Sequence, residues 1–420
     1  MLKKLKNSAL AIRTAFFIAV KSIRRGSLAV KLVTIFILLL TFLNLLVVGG
    51  LLNGITEDVG AKVKTSLTGD VFIKPIKEHT YIQNTDDIFS ILGKTTDVKY
   101  SPRLTSGATI EYGDATAENT PTRVNTVIAG IDPTQESQVT TIDQKVADGA
   151  FLDVNDKSAI VLGSSLVDGY KSSEASSDET LGNVAVGGKV RIRLPTSSAP
   201  QEFTVVGIVN SKSAVVDQRA FVNNAALQQL LKTDKNYYSE IAAVANNDAA
   251  AALLIQNLRT APDANKNQIK SADEAIPSAI ADVQKAFGMI GNIVGVTALL
   301  VGIVTIFVIV FVSASSRRRY IGILKAQGIS APTLVLSYIF QIFFYVLIGI
   351  ALGLIILIAI LQPYFVSHPI SLPMADGQLF LPVRYVTARI VILFLASIIS
   401  AFIPAWLIIR QNTLDAILGR

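Results

Sequence analysis

The sequence predicts a membrane α-helical protein with four transmembrane helices and a large extracytoplasmic α+β domain inserted between the first and second, containing a β-rich sub-lobe. Two observations predict this fold class. The mean hydropathy is +0.50 and 51% of the residues are hydrophobic, which is high for a soluble chain of 420 residues. In addition, the runs 32–56, 286–316, 326–375 and 390–409 contain no Asp, Glu, Lys or Arg, and each reaches the roughly 20 residues that span a bilayer as a helix.

These runs divide the chain into membrane spans and connecting segments. We predict TM1 at 32–52, TM2 at 286–313, TM3 at 333–362 and TM4 at 387–409. The connecting segments are the N-terminus 1–31, the inserted domain 53–285, the loop 314–332, the loop 363–386 and the tail 410–420. Lys and Arg in the short connections and near the helix ends decide the orientation of the chain in the membrane.

Basic residues are unevenly distributed and indicate that orientation. Residues 1–31 carry eight Lys or Arg and no acid, and the loop 314–332 carries four and no acid. Lys and Arg near helix ends stay in the cytoplasm, so both termini and the loop 314–332 are predicted to be cytoplasmic. Residues 53–285 carry 29 Asp or Glu against 22 Lys or Arg, so the net charge of +7 is a topology signal and predicts no nucleic-acid partner.

A short amphipathic stretch, residues 8–25, precedes TM1. Its apolar residues at helical spacing are Ile12, Phe16, Ala19, Val20 and Ile23. Flanking basic residues predict an interfacial helix within the cytoplasmic N-terminus 1–31, with membrane lipid as a partner because anionic headgroups attract the cations. The alternative is the start of a long TM1, which Gly26-Ser27 argues against because it interrupts the pattern.

The uncharged run that contains TM2 is longer than a bilayer requires. Its 31 residues, 286–316, would form about 46 Å of helix, against a hydrocarbon core of about 30 Å. Helix-forming residues also precede the run, so we predict a stalk at about 271–290 that continues TM2 beyond the membrane. A strong tilt within the bilayer is the alternative.

Period-2 alternation of apolar and polar residues places most predicted strands in the middle of the inserted domain, for example at 122–131 and 201–209. Helix patterns lie nearer its two ends. We therefore predict α+β flanks at about 53–104 and 223–270 that form one lobe. The β-rich lobe, about 105–222, is inserted between them.

The sequence contains few residues suited to catalysis or metal binding. It has no Cys, and its two histidines, His79 and His368, lie far apart, whereas metal sites and Cys or His nucleophiles need such residues together. Segment 163–173 faintly resembles a phosphate-binding loop, but Tyr170 separates its second Gly from Lys171, whereas that motif requires Lys immediately after the Gly. We predict a non-catalytic membrane subunit with no metal and no cofactor of its own.

Five segments resemble permease subunits of the MacB/FtsX/LolCE-like superfamily of ABC transporters, the type VII or mechanotransmission class. Residues 318–330, RRYIGILKAQGIS, are similar to the family motif R-x-E-I-G-I-L-[KR]-A-x-G-[AM]-[ST]. Four further segments resemble the family's outer domain in the expected order, namely 127–133, 145–153, 159–166 and 202–209. The resemblance covers nearly the whole chain and implies a multi-pass protein of the bacterial cytoplasmic (inner) membrane.

The resemblance also implies partners. The chain contains no nucleotide-binding domain, so a separate ABC ATPase dimer would bind ATP and Mg. A second permease copy or a homologous permease would complete the complex, and an extracytoplasmic adaptor or hydrolase is a further partner to test. Tyr320 stands where the family usually has Glu, so the contact with the ATPase would differ there.

The candidate site is the loop 314–332, which the resemblance identifies as a coupling helix seated on the ATPase. Its candidate ATPase-coupling residues are Arg317, Arg318, Arg319, Tyr320, Ile321, Gly322, Ile323, Leu324, Lys325 and Gly328. The alternative is that the three arginines only anchor the topology. Two small-residue motifs are predicted to pack helices closely, Gly291-x-x-x-Gly295 in TM2 and Gly349-x-x-x-Gly353 in TM3, and the sequence leaves open whether they pack within one chain or between two.

Two functions fit these features. The first is the permease subunit of an ABC transporter that exports or extracts a lipid, lipoprotein, peptide or antibiotic. The second is a signalling subunit that relays the state of the ATPase to an extracytoplasmic hydrolase or a sensor kinase. Transport by the reconstituted complex separates them, because only the first predicts a substrate that accumulates on one side.

Overall fold

The computed structural model describes residues 2–113, 121–170, 179–195, 199–233, 237–262, 264–372 and 375–410, with side chains from residue 10 onward. The described residues form two compact units. The membrane unit comprises those within Met1–Thr56, Val283–Ile370 and Gly377–Arg420, and the inserted unit those within Glu57–Asp282 and Ser371–Asp376. The predicted tail 410–420 lies outside the described residues beyond Arg410.

The α-helices, in chain order, are α1 Leu2–Arg25, α2 Leu28–Val63, α3 Thr85–Lys94, α4 Pro133–Val139, α5 Ala214–Asp217, α6 Asn224–Leu231, α7 Asp248–Arg259, α8 Ala272–Ala275, α9 Ser278–Ser316, α10 Arg318–Ala326, α11 Ala331–Ile356, α12 Gln362–Ser367 and α13 Val383–Ile409. The strands are β1 Val71–Pro75, β2 Lys99–Tyr112, β3 Thr122–Ile131, β4 Val146–Gly149, β5 Ala159–Gly163, β6 Lys189–Arg193, β7 Gln201–Val209, β8 Arg219–Asn223, β9 Glu240–Val244, β10 Asn267–Ser271, β11 Ile370–Ser371 and β12 Asp376–Gly377.

Four helical segments of the described chain are long and apolar enough to cross a membrane. They are Leu28–Thr68, Ser278–Ser316, Ala331–Ser367 and Val383–Ile409. The strands β1 to β10 lie in sequence between the first and the second of these segments. The predicted fold class, four apolar helices with an α+β domain inserted between the first two, is therefore confirmed.

Helix α1 contains the predicted amphipathic stretch 8–25 and packs on α11. The ring of Phe16 lies 5.8 Å from that of Phe340 and 5.9 Å from that of Phe344, measured between centroids. Ala19, which the sequence placed on the lipid-facing side, is buried. Part of the face assigned to lipid is thus covered by protein.

The core of the membrane unit lies where α9, α11 and α13 meet the loop helix α10. Its buried apolar residues include Ile306, Val310, Ala314, Ile321, Leu334, Val335, Ala401, Ala405 and Ile408. The hydroxyl of Ser400 on α13 donates to the carbonyl of Ile303 on α9. Such a bond satisfies a polar side chain that has no water partner in a bilayer.

A four-stranded antiparallel sheet, in the order β10-β1-β9-β2, forms the first lobe of the inserted unit. Because side chains alternate along a strand, Val71 and Ile73 of β1 face one side and Phe72 the other. The first side packs against α3 and α7 through Leu92 and Leu254. Both faces are covered, which accounts for the continuous apolar runs in β1 and β9.

The second lobe is a closed ring of six strands, in the order β2-β3-β8-β5-β7-β6 and back to β2. The β3–β8 and β5–β7 pairs are parallel, and the other four are antiparallel. Buried residues of its core include Ile110, Ile128, Ile160, Leu162, Val190, Phe203 and Val205. Strand β2 belongs to both lobes, because its residues up to Arg103 pair with β9 and those from Leu104 pair with β3.

A buried charge network lies where β2 passes from one lobe to the other. Arg103 donates to both carboxylate oxygens of Glu136, and Ser101 and Thr140 donate to the same carboxylate. Nearby, Glu240 accepts hydrogen bonds from Arg219 at 3.0 and 3.3 Å. These bonds offset the cost of removing the charges from water.

Glu240 is ionised in this network. Burial alone would raise the pKa of its carboxyl, but Arg219, Lys74 and Arg103 lower that pKa to about 2. The ammonium of Lys74 lies 3.1 Å from the carboxylate of Glu240. The surrounding cations therefore outweigh desolvation.

A second charge cluster surrounds Asp376 in the inserted unit. The carboxylate of Asp376 lies 3.0 Å from the ammonium of Lys62 and 2.7 Å from that of Lys212. The backbone N–H of Asp376 donates to the carboxylate of Asp58 at 2.6 Å. Burial acts to raise the pKa of Asp376, but the two ammonium groups lower it overall.

The loop that carries Lys212 is itself fixed. Lys212 has a φ of +56°, a conformation that L-residues rarely adopt. The backbone N–H and the hydroxyl of Ser211 both donate to the buried carboxylate of Asp217 at 2.8 Å. Burial raises the pKa of Asp217 despite these bonds, and the bonds hold Lys212 in reach of Asp376.

Candidate functional site

The loop between the second and third apolar segments contains the helix α10, Arg318–Ala326. Its end is a Schellman motif, in which the N–H of Gly328 donates to the carbonyl of Lys325 and the N–H of Ile329 to that of Leu324. Gly328 adopts a φ of +91°, which favours glycine. The sequence therefore stops α10 at a defined point before α11 begins.

The inward face of α10 is fixed by packing. Ile321 is only 4% exposed and belongs to the core with residues of α9, α11 and α13, and Gly322 is buried beside it. Ile321 was predicted to couple to the ATPase, but its side chain points into the membrane unit. It positions the helix and has little surface to offer a partner.

Lys325 also faces inward. Its ammonium donates to the backbone carbonyl of Ile409, at the end of α13, at 3.0 Å. A cation at a helix C-terminus is favourable because the last carbonyl groups carry partial negative charge. Lys325 thus ties α10 to α13, whereas the sequence prediction assigned it to the ATPase contact.

The outward face of α10 presents three exposed side chains of different chemistry. Arg319 supplies a cation, Tyr320 an aromatic ring that is 53% exposed, and Ile323 an apolar side chain that is 42% exposed. Leu324 is half-buried, and so are Arg317 and Arg318 at the start of the helix. An exposed apolar residue beside a ring and a guanidinium is the composition of many protein interfaces.

The four glycines of the two small-residue motifs all face α2 of the same chain. Ideal Cβ atoms would lie 3.2 Å from Leu52 at Gly291 and 3.6 Å from Leu45 at Gly295. An ideal Cβ added at Gly349 of α11 would lie 3.1 Å from the Cβ of Leu38, and one added at Gly353 would lie 2.5 Å from the ring of Phe42. In this structure the motifs serve packing within one chain.

Within the described ranges, no group of three or more His, Asp or Glu side chains could hold a metal ion. His79 and His368 are both exposed. The predicted absence of a catalytic residue, a metal and a cofactor stays a prediction.

Helical spacing was the signal that could have separated the two faces of α10. Ile321 and Lys325 are four residues apart and share the inward face. Arg319 and Ile323 are also four residues apart and share the outward face. All ten candidate residues of the loop were predicted to form one site. The bond from Lys325 to Ile409 joins parts of the chain 84 residues apart and has no local signal.

Two family models match the chain. The MacB-like periplasmic core domain matches residues 32–261, and the FtsX-like permease C-terminal domain matches residues 292–413. Comparison with curated protein sequences finds no match.

Two solved structures are similar to part of the chain. The extracellular domain of the noncanonic ABC-type transporter YknZ from Gram-positive bacteria is 18% identical with a TM-score of 0.31, over 48% of this chain and 98% of that one. The periplasmic region of MacB from Actinobacillus actinomycetemcomitans is 14% identical with a TM-score of 0.33, over 50% of this chain and 92% of that one.

The two family models, together with the four apolar helices and the inserted α+β domain, define a membrane protein of the ABC-permease class. Because the periplasmic core model alone matches more than half of the 420 residues, the chain belongs to the MacB/FtsX-like superfamily of ABC-transporter permeases. Members of this superfamily are permease components that work with an ABC ATPase. The predicted resemblance is thus confirmed.

Proposed function

We propose that this chain is the permease subunit that converts ATP hydrolysis by a separate ATPase into movement of the inserted unit, and so exports or extracts a lipid, lipoprotein, peptide or antibiotic. The observation that carries the proposal is the outward face of α10. Arg319, Tyr320 and Ile323 are exposed on a helix whose opposite face is fixed in the membrane unit.

The fixed face makes α10 suited to receiving force. Ile321 packs with α9, α11 and α13, and Lys325 bonds to the end of α13. The Schellman motif at Gly328 prevents the helix from unwinding into the following segment. A push on the outward face would therefore move the packed helices together instead of bending a loose loop.

Two long helices supply the path for that movement. Helix α2 has 36 residues and α9 has 39, so they are about 54 and 58 Å long at 1.5 Å per residue. A bilayer core of about 30 Å needs much less. Both helices are continuous through the chain positions that separate the two units, which supports transmission along a stiff rod.

The proposal fixes the partners and the orientation. A dimer of the ATPase would bind ATP and Mg, and two permeases, identical or homologous, would sit on it. The chain would lie in the bacterial cytoplasmic membrane with both termini and α10 in the cytoplasm. The ring of Tyr320 would make an apolar or hydrogen-bonded contact with the ATPase at the position where the family usually has Glu.

The test is a charge reversal on the outward face. The double variant Arg319→Glu/Ile323→Asp should abolish co-purification of the ABC ATPase with the tagged permease and reduce ATP hydrolysis by the reconstituted complex to that of the free ATPase. The matched control is Arg384→Glu/Ile370→Asp, which makes the same changes at exposed residues of the loop predicted to be outside. That control should co-purify normally.

Two outcomes would contradict the proposal. Normal co-purification by the double variant would exclude α10 as the seat of the ATPase. A wild-type complex that hydrolyses ATP but moves no substrate, and instead activates an extracytoplasmic hydrolase or a sensor kinase, would favour the signalling function. Insertion of each variant is checked by its recovery in the membrane fraction.

A further inference from the structure

A cleft of about 610 Å³ lies between α1 and the loop helix α10 within the membrane unit. Three cations line it, Lys21 and Arg25 from α1 and Arg317 from the start of α10. Its apolar wall includes Phe17 of α1 and Leu324 of α10. The cleft therefore combines a basic mouth with an apolar side, which is the chemistry of an amphiphile with an anionic headgroup.

The membrane unit offers these cations almost no counter-charge. The segments 1–56, 283–370 and 377–420 contain one acidic residue, Asp415, and it lies outside the described residues. No Asp or Glu of the membrane unit that the structure describes can pair with Lys21, Arg25 or Arg317. Because like charges repel at short range, the cleft favours a bound anion.

The turn between α1 and α2 is shaped to admit Arg317. An ideal Cβ at Gly26 would lie 3.0 Å from Nη2 of Arg317 and 2.8 Å from the carbonyl oxygen of Ser22, so a larger residue would push the guanidinium away. Arg317 is half-buried, which holds the guanidinium at the cleft. The ammonium of Lys21 lies 5.6 Å from the ring centroid of Phe17, on the same helix.

We propose that this cleft binds the phosphate of an anionic phospholipid, with an acyl chain along the wall formed by Phe17 and Leu324. Guanidinium groups match phosphate oxygens in geometry as well as charge. A free phosphate ion has the same headgroup chemistry but would leave the apolar wall unused. The bound lipid joins α1 to the base of α10, so it stabilises the position of the helix that the proposed function assigns to the ATPase.

Because the proposed function places α10 in the cytoplasm, the lipid would come from the inner leaflet, and this placement rests on the proposed function. Binding itself is measured without the ATPase. Purified full-length protein in detergent is titrated with dioleoylphosphatidylglycerol and with dioleoylphosphatidylcholine, and bound lipid is counted by native mass spectrometry. Wild-type protein should retain one phosphatidylglycerol per chain at least about tenfold more tightly than phosphatidylcholine.

Two triple variants distinguish a site from general attraction. Lys21→Gln/Arg25→Gln/Arg317→Gln should weaken phosphatidylglycerol binding by at least about tenfold, since each Lys or Arg near anionic lipid contributes roughly a fivefold factor. The control Arg13→Gln/Arg24→Gln/Arg319→Gln removes the same charge from α1 and α10 outside the cleft and should change binding by less than about threefold. Equal losses in both variants would overturn the proposal.

Two further experiments identify the ligand and test whether lost binding reflects lost packing. Inorganic phosphate at millimolar concentration should not displace the lipid, and full displacement would assign the cleft to free phosphate instead. The variant Arg25→Lys/Arg317→Lys keeps the charge but loses the guanidinium geometry, so its affinity for phosphatidylglycerol should lie between that of wild type and that of the triple glutamine variant. Affinity no higher than that of the triple glutamine variant would mean that packing, not phosphate binding, is what these side chains provide. None of these results depends on the ATPase, so failure here leaves the coupling proposal untouched.

Discussion

Arg103 donates two hydrogen bonds to Glu136, from Nε to Oε2 at 2.8 Å and from Nη2 to Oε1 at 2.7 Å, and both side chains are almost fully buried. A third bond runs from Nη1 of Arg103 to the carbonyl of Leu67 at 2.6 Å. Arg103 is the residue at which β2 changes partner from β9 to β3. The pair therefore fixes the junction of the two lobes of the inserted unit.

The first prediction concerns this junction. Arg103→Ala should destabilise the inserted unit by about 3–5 kcal/mol, because it leaves the carboxylate of Glu136 buried without a counter-charge. Hydrogen exchange of β2 and β9 in the full-length protein, followed across a urea series, measures the change. The control Lys189→Ala removes the exposed partner of Glu202 and should leave exchange nearly unchanged. Equal effects of the two substitutions would contradict a special role for Arg103.

The second prediction concerns acid. The pKa of Glu240 is about 2 in the folded protein, below its ordinary value of 4.5, because Arg219, Lys74 and Arg103 outweigh burial. The lowered pKa means that ionised Glu240 stabilises the folded protein by up to roughly 3 kcal/mol. This stabilisation is complete above the unfolded-state pKa and is lost as pH falls from about 4.5 towards 2. The urea midpoint of the inserted unit should therefore fall steeply between pH 5 and 3.

The variant Glu240→Gln carries no titrating carboxyl at this position, so its urea midpoint should fall less over the same range of pH. Glu202→Gln is the control, because Glu202 is exposed on strand β7. If Glu240→Gln and Glu202→Gln showed the same dependence on pH, the low pKa of Glu240 would be excluded.

The third prediction concerns the segment Ser371–Asp376. Lys212 donates to the carboxylate of Asp376 at 2.7 Å and to the hydroxyl of Ser371 at 3.1 Å. Lys212→Gln should speed hydrogen exchange in peptides that cover residues 368–380 by at least about threefold, since charged hydrogen bonds contribute more than about 1 kcal/mol. Lys157→Gln changes an exposed lysine of the same unit and should have no effect there. Unchanged exchange in Lys212→Gln would show that the charge cluster does not hold the segment.

The fourth prediction concerns helix packing. An added Cβ at Gly353 would lie 2.5 Å from the ring of Phe42, whereas one at Gly288 would meet nothing within 4 Å. Gly353→Ala should destabilise the membrane unit by about 1–3 kcal/mol through overpacking, although alanine favours helix. Gly288→Ala should stabilise it slightly. Thermal aggregation of each variant in detergent, read by size-exclusion chromatography, measures the difference, and an equal or higher melting temperature for Gly353→Ala would refute the close contact.

Membrane segments and strands that depend on local composition could be predicted from the sequence. The apolar runs located the four membrane segments because a bilayer imposes length and hydropathy on every spanning helix. The helix α9 begins at Ser278, eight residues before the predicted TM2 and within the segment 271–290 where helix-forming residues predict a stalk. The alternation of apolar and polar residues located β3 and β7, because successive side chains of a strand point to opposite faces of the sheet.

Features that depend on distant pairs could not be predicted. The ring of six strands is closed by pairing of β6 with β2, between residues more than 75 positions apart. The buried pairs Arg103–Glu136 and Arg219–Glu240 are read in the sequence as ordinary surface charges. In the candidate site, the packing of Ile321 against α9, α11 and α13 and the bond from Lys325 to Ile409 depend on such distant pairs, and the assignment of both residues to the ATPase stays a prediction.

Closure of the six-stranded ring bears on how the inserted unit meets other proteins. Among the described strands of the large sheet, only β4 and β10 have a single hydrogen-bonded neighbour. An unpaired backbone edge is the usual template for strand addition and for aggregation. Each of the six strands in the described ring has a neighbour on both sides, and β4, which pairs only with β7, is the one such edge beside the ring. A partner that binds the ring away from β4 has to recognise side chains and connecting loops, which vary far more readily from one protein to the next than backbone does.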